Sequence, residues 1–298
     1  MTTETSPCRG NTSRKPRRIA SATGAAVPLG VRSWALIAVA SVVGLVAFGW
    51  PLFAPPGGGD ATNTAHATDA PIVFALVLPL LLAVILAELA DGSLDAKAVA
   101  VLGVLAACGA ALRLTGGGIT GFSPVFFLLL PAGRVFGPGF GFVLGCLTLF
   151  ASALLTGGVG PWLPFQMFGA GWIGLFAGLL PPARGRVEIV VLAAYGAVAG
   201  LAFGLVLNLW FWPFSVAPGS ELSFVPGAPV VDNLGRFWEF HLTTSLGFDI
   251  PRAVGNVVMV LVLGPPTLAA LRRTARRGAF GAVAEHVPPA PATRAGGF

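Results

Sequence analysis

Residues 113–181 read RLTGGGITGFSPVFFLLLPAGRVFGPGFGFVLGCLTLFASALLTGGVGPWLPFQMFGAGWIGLFAGLLP. Apolar stretches of membrane-crossing size are joined here by tight Gly/Pro turns. With their flanks, the turns are TGGGITGFSP (115–124), AGRVFGPGFG (132–141), LTGGVGPWLP (155–164) and PPARGR (181–186). Only the second and fourth carry arginine at their centre. Short loops that alternate in positive charge are how a multi-pass helical bundle is written in sequence, because basic loops stay on the cytoplasmic side.

The rest of the chain agrees. Hydrophobic residues make up 55% of the 298 residues and charged residues 10%, against about 25% charged in an ordinary soluble domain. So little polar material cannot coat a globule of this size, so the apolar segments face lipid. A crossing helix needs about 20 apolar residues at about 1.5 Å each. Spans are expected near 33–53, 71–90, 98–114, 119–134, 139–156, 162–181, 187–212 and 249–270. The fourth is short and holds Pro124 and Pro131, so it reads as a crossing or as a kinked, re-entrant segment. Continuous Leu/Ala/Val/Gly runs, without the period-two alternation of a membrane barrel, select helices. The expected class is therefore an all-α integral membrane protein, a polytopic helical bundle.

Eight spans leave both termini on one side. Of the 18 Lys and Arg, only Arg113, Arg236 and Arg252 then fall on the other side. The positive-inside rule makes the terminal side cytoplasmic. The high pI reports this topology, not nucleic-acid binding. The expected divisions are a basic, disordered cytoplasmic tail (1–31), two transmembrane helices with an outer loop (32–94), a core (95–272) and a cytoplasmic tail (273–298). Residues 213–248 form the largest outer loop, with Trp238, Phe240 and His241, and are expected to fold over the outer face. Cys108 and Cys146 are expected as buried small apolar groups. Three cysteines without CxxC or HxxxH spacing predict neither a disulfide framework nor a metal site.

Polar groups inside a bilayer are costly and call for a reason. Under this topology Arg113, Gln166, Asn208, Asp249, Arg252 and Asn256 share the outer half, and Arg252 and Asn256 share a helix face. Phe122, Trp162, Phe165, Trp210 and Trp212 lie at the same level, and Gly117 sits in the Gly-rich loop between them. Aromatic walls with a few convergent polar groups describe a small-molecule pocket. The substrate-binding candidates are Arg113, Gly117, Phe122, Trp162, Gln166, Asn208, Arg252 and Asn256. Simpler readings stand beside this one. The tryptophans also suit an interfacial belt, Arg113 can snorkel, Asp249 and Arg252 can form a structural pair, and Gln166 and Asn208 can bond neighbouring helices. On span three, Gly103, Ala107 and Ala111 recur every fourth residue, as do Ala106 and Ala110. Such stripes admit another helix closely, either within the bundle or from a partner. Arg134 is expected to anchor a turn or meet a cytoplasmic partner.

Gly116–Pro124, Arg134–Gly141 and Pro161–Gly178, and more weakly FDIPRAVGNVVMVLVLG (248–264), resemble the substrate-binding S subunits of energy-coupling-factor (ECF) vitamin transporters. The likeness covers roughly 95–270. It implies a six-helix S-subunit-like core, here preceded by two extra transmembrane helices, with a substrate pocket open to the outer side. It implies a T subunit docking on the small-residue stripe of the first core helix, and two ATPase subunits. The substrate it implies is a vitamin or related micronutrient, with a cobalamin-like corrinoid as first expectation and thiamine-, flavin- or biotin-like compounds open. No GxxxxGK[ST] loop is present, so ATP-driven transport needs its engine in other chains. No cofactor is expected. GxSxG, HExxH and mid-span carboxylate pairs are absent from the sequence, which weighs against the alternative of a membrane enzyme acting on a lipid or isoprenoid head group. A non-catalytic assembly protein is the remaining alternative.

Overall fold

The structure is a computed structural model and describes residues 31–53, 70–90, 96–116, 121–216 and 219–278. The basic tail before Val31, most of the 54–70 loop, Gly117, Asp91, Asp95 and the residues after Gly278 lie outside the described residues. Nine helices run through those described: α1 (Val31–Phe53), α2 (Ala70–Ala90), α3 (Ala96–Thr115), α4 (Val125–Phe136), α5 (Pro138–Thr156), α6 (Leu163–Leu179), α7 (Gly185–Ser215), α8 (Val230–Thr244) and α9 (Leu246–Gly278). The described chain is all-helical. Among these helices α1, α3, α5, α7 and α9 are each long and apolar enough to cross a membrane.

Three elements differ from the expected spans. α4 has 12 residues, about 18 Å at helical rise, well short of a ~30 Å hydrocarbon core. Every residue in it except Arg134 is buried, so it is an interior helix that α5, α6 and α9 surround. Its helix starts only after Pro124. α9 continues to Gly278 despite Pro251, Pro265 and Pro266, beyond the expected end of the last span near residue 270. The third difference is α8, a helix inside the supposed outer loop.

Glycine lets α4, α5 and α6 pack backbone to backbone. A Cβ built on Gly174 would strike the carbonyl of Gly141, and one on Gly141 or Gly133 would strike the carbonyl of Gly174. Gly145 meets the Ala170 carbonyl in the same way. Only hydrogen fits at these sites, which is how small residues drive helix association where no hydrophobic force exists between helices. Gly137, at φ +108°, is the single residue between α4 and α5, a backbone region that side chains disfavour.

α1 lies on the same core. The indole of Trp172 donates to Ser41 Oγ at 3.0 Å. Phe48 meets Phe165 and Trp172 with centroids 5.0 and 5.6 Å apart. Ile37, Phe48, Leu81 and Ile85 join one continuous apolar cluster with α3–α7 and α9. At the end of the bundle that holds the α6–α7 turn, Arg134 anchors that turn. Its guanidinium donates to the carbonyls of Leu180 (2.7 Å) and Ala183 (3.4 Å). It also pairs with Glu188 at 2.9 Å, and Arg272 reaches the same carboxylate oxygen at 2.6 Å.

Candidate functional site

The opposite end of the bundle holds a cavity of about 220 Å³. Arg113 enters it from the last turn of α3, where a cation suits the helix C-terminus. Gly121, Phe122 and Ser123 border it from the turn before α4, and Phe126 from α4 itself. Leu149 of α5, Gln166 of α6, Phe203 of α7, and Phe248 and Arg252 of α9 also line it, with Gly116 and Val125. Gly121 sits at φ +77°, and a Cβ there would overlap the carbonyl of Phe248. That contact is where the turn closes on α9, and it needs glycine on both counts.

Two arginines face this space with unlike surroundings. Arg113 donates from Nη2 to Gln166 Oε1 at 2.9 Å and from Nη1 to Ser152 Oγ at 3.4 Å. Both partners are neutral. Arg252 donates from Nη1 to Asp249 Oδ1 at 2.6 Å and to the Gly200 carbonyl at 3.1 Å. Its guanidinium carbon lies 5.5 Å from the centroid of the Phe203 ring, within cation–π range.

Behind Arg252 a buried polar chain ties α7, α8 and α9 together. Asp249 is 2% exposed. Its Oδ2 makes no hydrogen bond and lies 3.7 Å from His241 Nε2. Asn208 Nδ2 sits 2.9 Å from His241 Nδ1 and also donates to Ser245 Oγ. With the Asn208 amide donating, Nδ1 is the acceptor, and Nε2 is the ring nitrogen that faces Asp249. Above this chain, Trp212, Phe224, Phe237 and Phe240 form a separate apolar cluster. The indole of Trp212 donates to the Leu222 carbonyl at 2.6 Å. Asn233 clasps Val225 through both its backbone groups, each at 3.0 Å. Residues 219–245 are thus a folded layer over this end of the bundle.

The structure brings together Arg113, Phe122, Gln166 and Arg252 from the sequence-based set. Asn256 is 2% exposed and donates to the Gly196 carbonyl at 2.9 Å, so it bridges α9 to α7 away from the cavity. The face that it shares with Arg252 is the α7 interface: Arg252 meets Gly200 one turn from where Asn256 meets Gly196. Asn208 belongs to the His241 chain. Trp162 is 44% exposed and donates to the Gly158 carbonyl at 3.1 Å, outside the cavity. Trp210 and Trp212 are buried, which removes them from an interfacial belt; Trp210 stacks on Phe165 at 4.6 Å.

Phe126, Phe203, Phe248 and Ser152 were not foreseen. One sequence signal bore on Phe203: Gly196, Gly200 and Gly204 recur every fourth residue on α7, and a Cβ at Gly204 would overlap Asp249 while one at Gly200 would press on Ala253. That stripe seats α9 against α7 and carries Phe203 to the cavity.

The two small-residue rows of α3 separate. Ala106 and Ala110 are buried inside the bundle. Gly103, Ala107 and Ala111 are exposed, and a Cβ on Gly103 would meet nothing within 4 Å. Cys108 shares the exposed side, whereas Cys146 is buried, so only one of the two expected buried cysteines is buried. A second, larger hollow of about 480 Å³ lies along α1 and is lined by Leu45, Val46, Gly49, Trp50 and Phe53. It lacks convergent polar groups and suits lipid chains. Among the described residues no group of His, Cys, Asp and Glu could hold a metal ion.

Residues 97–264 match the family model described as ECF transporter, substrate-specific component. The match begins at the start of α3 and ends within α9, leaving α1 and α2 outside it. No curated protein and no solved structure shows a significant match.

Proposed function

Because this chain belongs to the family of ECF transporter substrate-specific components, we propose that it captures a vitamin or related micronutrient in the Arg113 cavity and passes it inward with partner subunits. It is a multi-pass membrane subunit of a transporter and not an enzyme. The observation that carries the proposal is the cavity itself: the Arg113–Gln166 pair and the Arg252–Phe203 pair converge on one space with aromatic walls. Few polar groups in an apolar hollow fix a ligand's orientation while the walls supply burial.

The charge asymmetry of the loops supports an orientation with the Arg113 end outward and both termini cytoplasmic. The exposed row Gly103, Ala107 and Ala111 suits close approach of a T-subunit helix. The chain has no phosphate-binding loop, so two ATPase subunits would supply the energy. At about 220 Å³ the cavity is smaller than the ~300–1,000 Å³ typical of drug-sized ligands. It favours a small ring compound over a cobalamin-like corrinoid, for which the end of the bundle would have to open.

Mass spectrometry of ligand released from the detergent-purified protein tests the proposal, with Arg113→Ala beside it. A stoichiometric small molecule in the wild type that is depleted in the variant is expected. An empty wild type that also binds no member of a broad vitamin panel would refute the reading.

A further inference from the structure

We infer that the ligand of this cavity is a small monoanion: a ring compound bearing a single carboxylate that docks on Arg113. The inference rests on reading the cavity as the substrate site, and it adds the ligand's charge and size.

Charge decides it. The cavity wall carries Arg113 and Arg252 and no acidic residue. Asp249 compensates Arg252 from behind at 2.6 Å. Arg113 is met only by the neutral oxygens of Gln166 and Ser152. Among the described residues that line the cavity, one positive charge therefore has no opposite charge. A cation held among apolar side chains is costly unless paired, and a guanidinium presents a planar fork that matches a carboxylate.

The hydrogen-bond inventory points the same way. Gln166 spends its oxygen on Arg113, which turns its NH2 group to the donor role for a ligand. Arg113, Gln166 and Ser123 all offer N–H or O–H. Such a wall asks for an acceptor-rich group. A dianionic phosphate would bring one charge more than the wall can balance, and a cation would face Arg113 unscreened. Phe122, Phe126, Phe203 and Phe248 leave room beside that charge for a flat, apolar ring. Phe126 and Phe203 already pack with centroids 4.6 Å apart.

The test uses the full chain in detergent and a panel sorted by charge. Nicotinate and biotin are each paired with an uncharged counterpart, nicotinamide and biotinamide. Thiamine serves as a cation and riboflavin as a neutral ring. Equilibrium binding is measured on the panel, and any co-purified ligand is identified by mass. The tightest binder, or the co-purified ligand, is expected to be a monocarboxylate. Its uncharged counterpart is expected to bind about 100-fold more weakly, as is the acid itself to Arg113→Gln. Arg113→Lys is expected to recover part of the loss. The comparison of acid with uncharged counterpart needs no variant, so a misfolded variant leaves it intact. Tight binding of thiamine, riboflavin or another uncharged or cationic compound would overturn the charge assignment while leaving a binding subunit in place. No co-purified ligand and no binding across the panel would overturn the substrate-site reading as well.

Discussion

The two ends of this bundle treat a partly buried arginine in opposite ways. Arg134 is answered in full: Glu188 neutralises it, two carbonyls take further N–H groups, and Arg272 shares the carboxylate. Around it the helices touch through glycine backbones. Arg113 is left with neutral partners beside a cavity, under the α8 layer. A charge that packing satisfies serves architecture. A charge that packing leaves open at the rim of a hollow is available to a ligand.

The largest effect is expected at the glycine contacts. Gly174→Leu would drive a side chain into the Gly141 carbonyl, and overpacking of this kind costs on the order of 3 kcal/mol or more. Loss of a monodisperse peak in detergent, or a steep fall in Tm, is expected. Gly103→Leu, at a site with open space, should leave Tm unchanged, and equal losses in the two variants would break the contrast between packed and open glycines.

Arg134→Gln should come next. Removing one partner of a buried pair costs up to about 3–5 kcal/mol, and Arg272, which stays on Glu188, reduces this. Arg113→Gln should lower Tm by much less, because only two neutral acceptors lose a donor, while ligand binding collapses. If the two variants fell equally in stability, the proposed difference in role would be lost. His241→Ala should have a smaller effect, about 1 kcal/mol, the usual worth of one hydrogen bond. It removes the ring facing Asp249 and one partner of Asn208. A thermal melt of the variant reads this directly. Smallest in stability is Gly103→Leu, within about 0.5 kcal/mol. Its expected effect is instead on co-purification with the T subunit, which should drop while ligand binding persists.

Much of this contrast was legible in the chain. Continuous apolar runs and charge-alternating turns announced a helical membrane bundle, and the PPARGR turn did receive Arg134. Arg113, Gln166 and Arg252 were readable because polar groups placed near one level of a bilayer are few, and Phe122 because aromatic residues gather at that level. α8 was hidden. Asn233, Phe237, Phe240 and His241 have the spacing of one helical face, and all four are buried, yet Asp232, Arg236 and Glu239 on the other side make the segment read as loop. Asn256 misled for the reverse reason. A side chain's direction depends on the facing helix, and here the Gly196 carbonyl accepts from it. The shortness of the fourth span and its Pro124 and Pro131 left a crossing and a re-entrant segment both open, and the 12-residue α4 is too short to cross.

The measurement that bears most directly on the account is a cryo-electron microscopy structure of the ligand-loaded protein, enlarged by a rigid binder for alignment. Ligand density is expected in the cavity between α3, α6, α7 and α9, with an acceptor about 3 Å from the Arg113 guanidinium. Density in the apolar hollow along α1, or anywhere that leaves Arg113 on Gln166 and Ser152 alone, would contradict it.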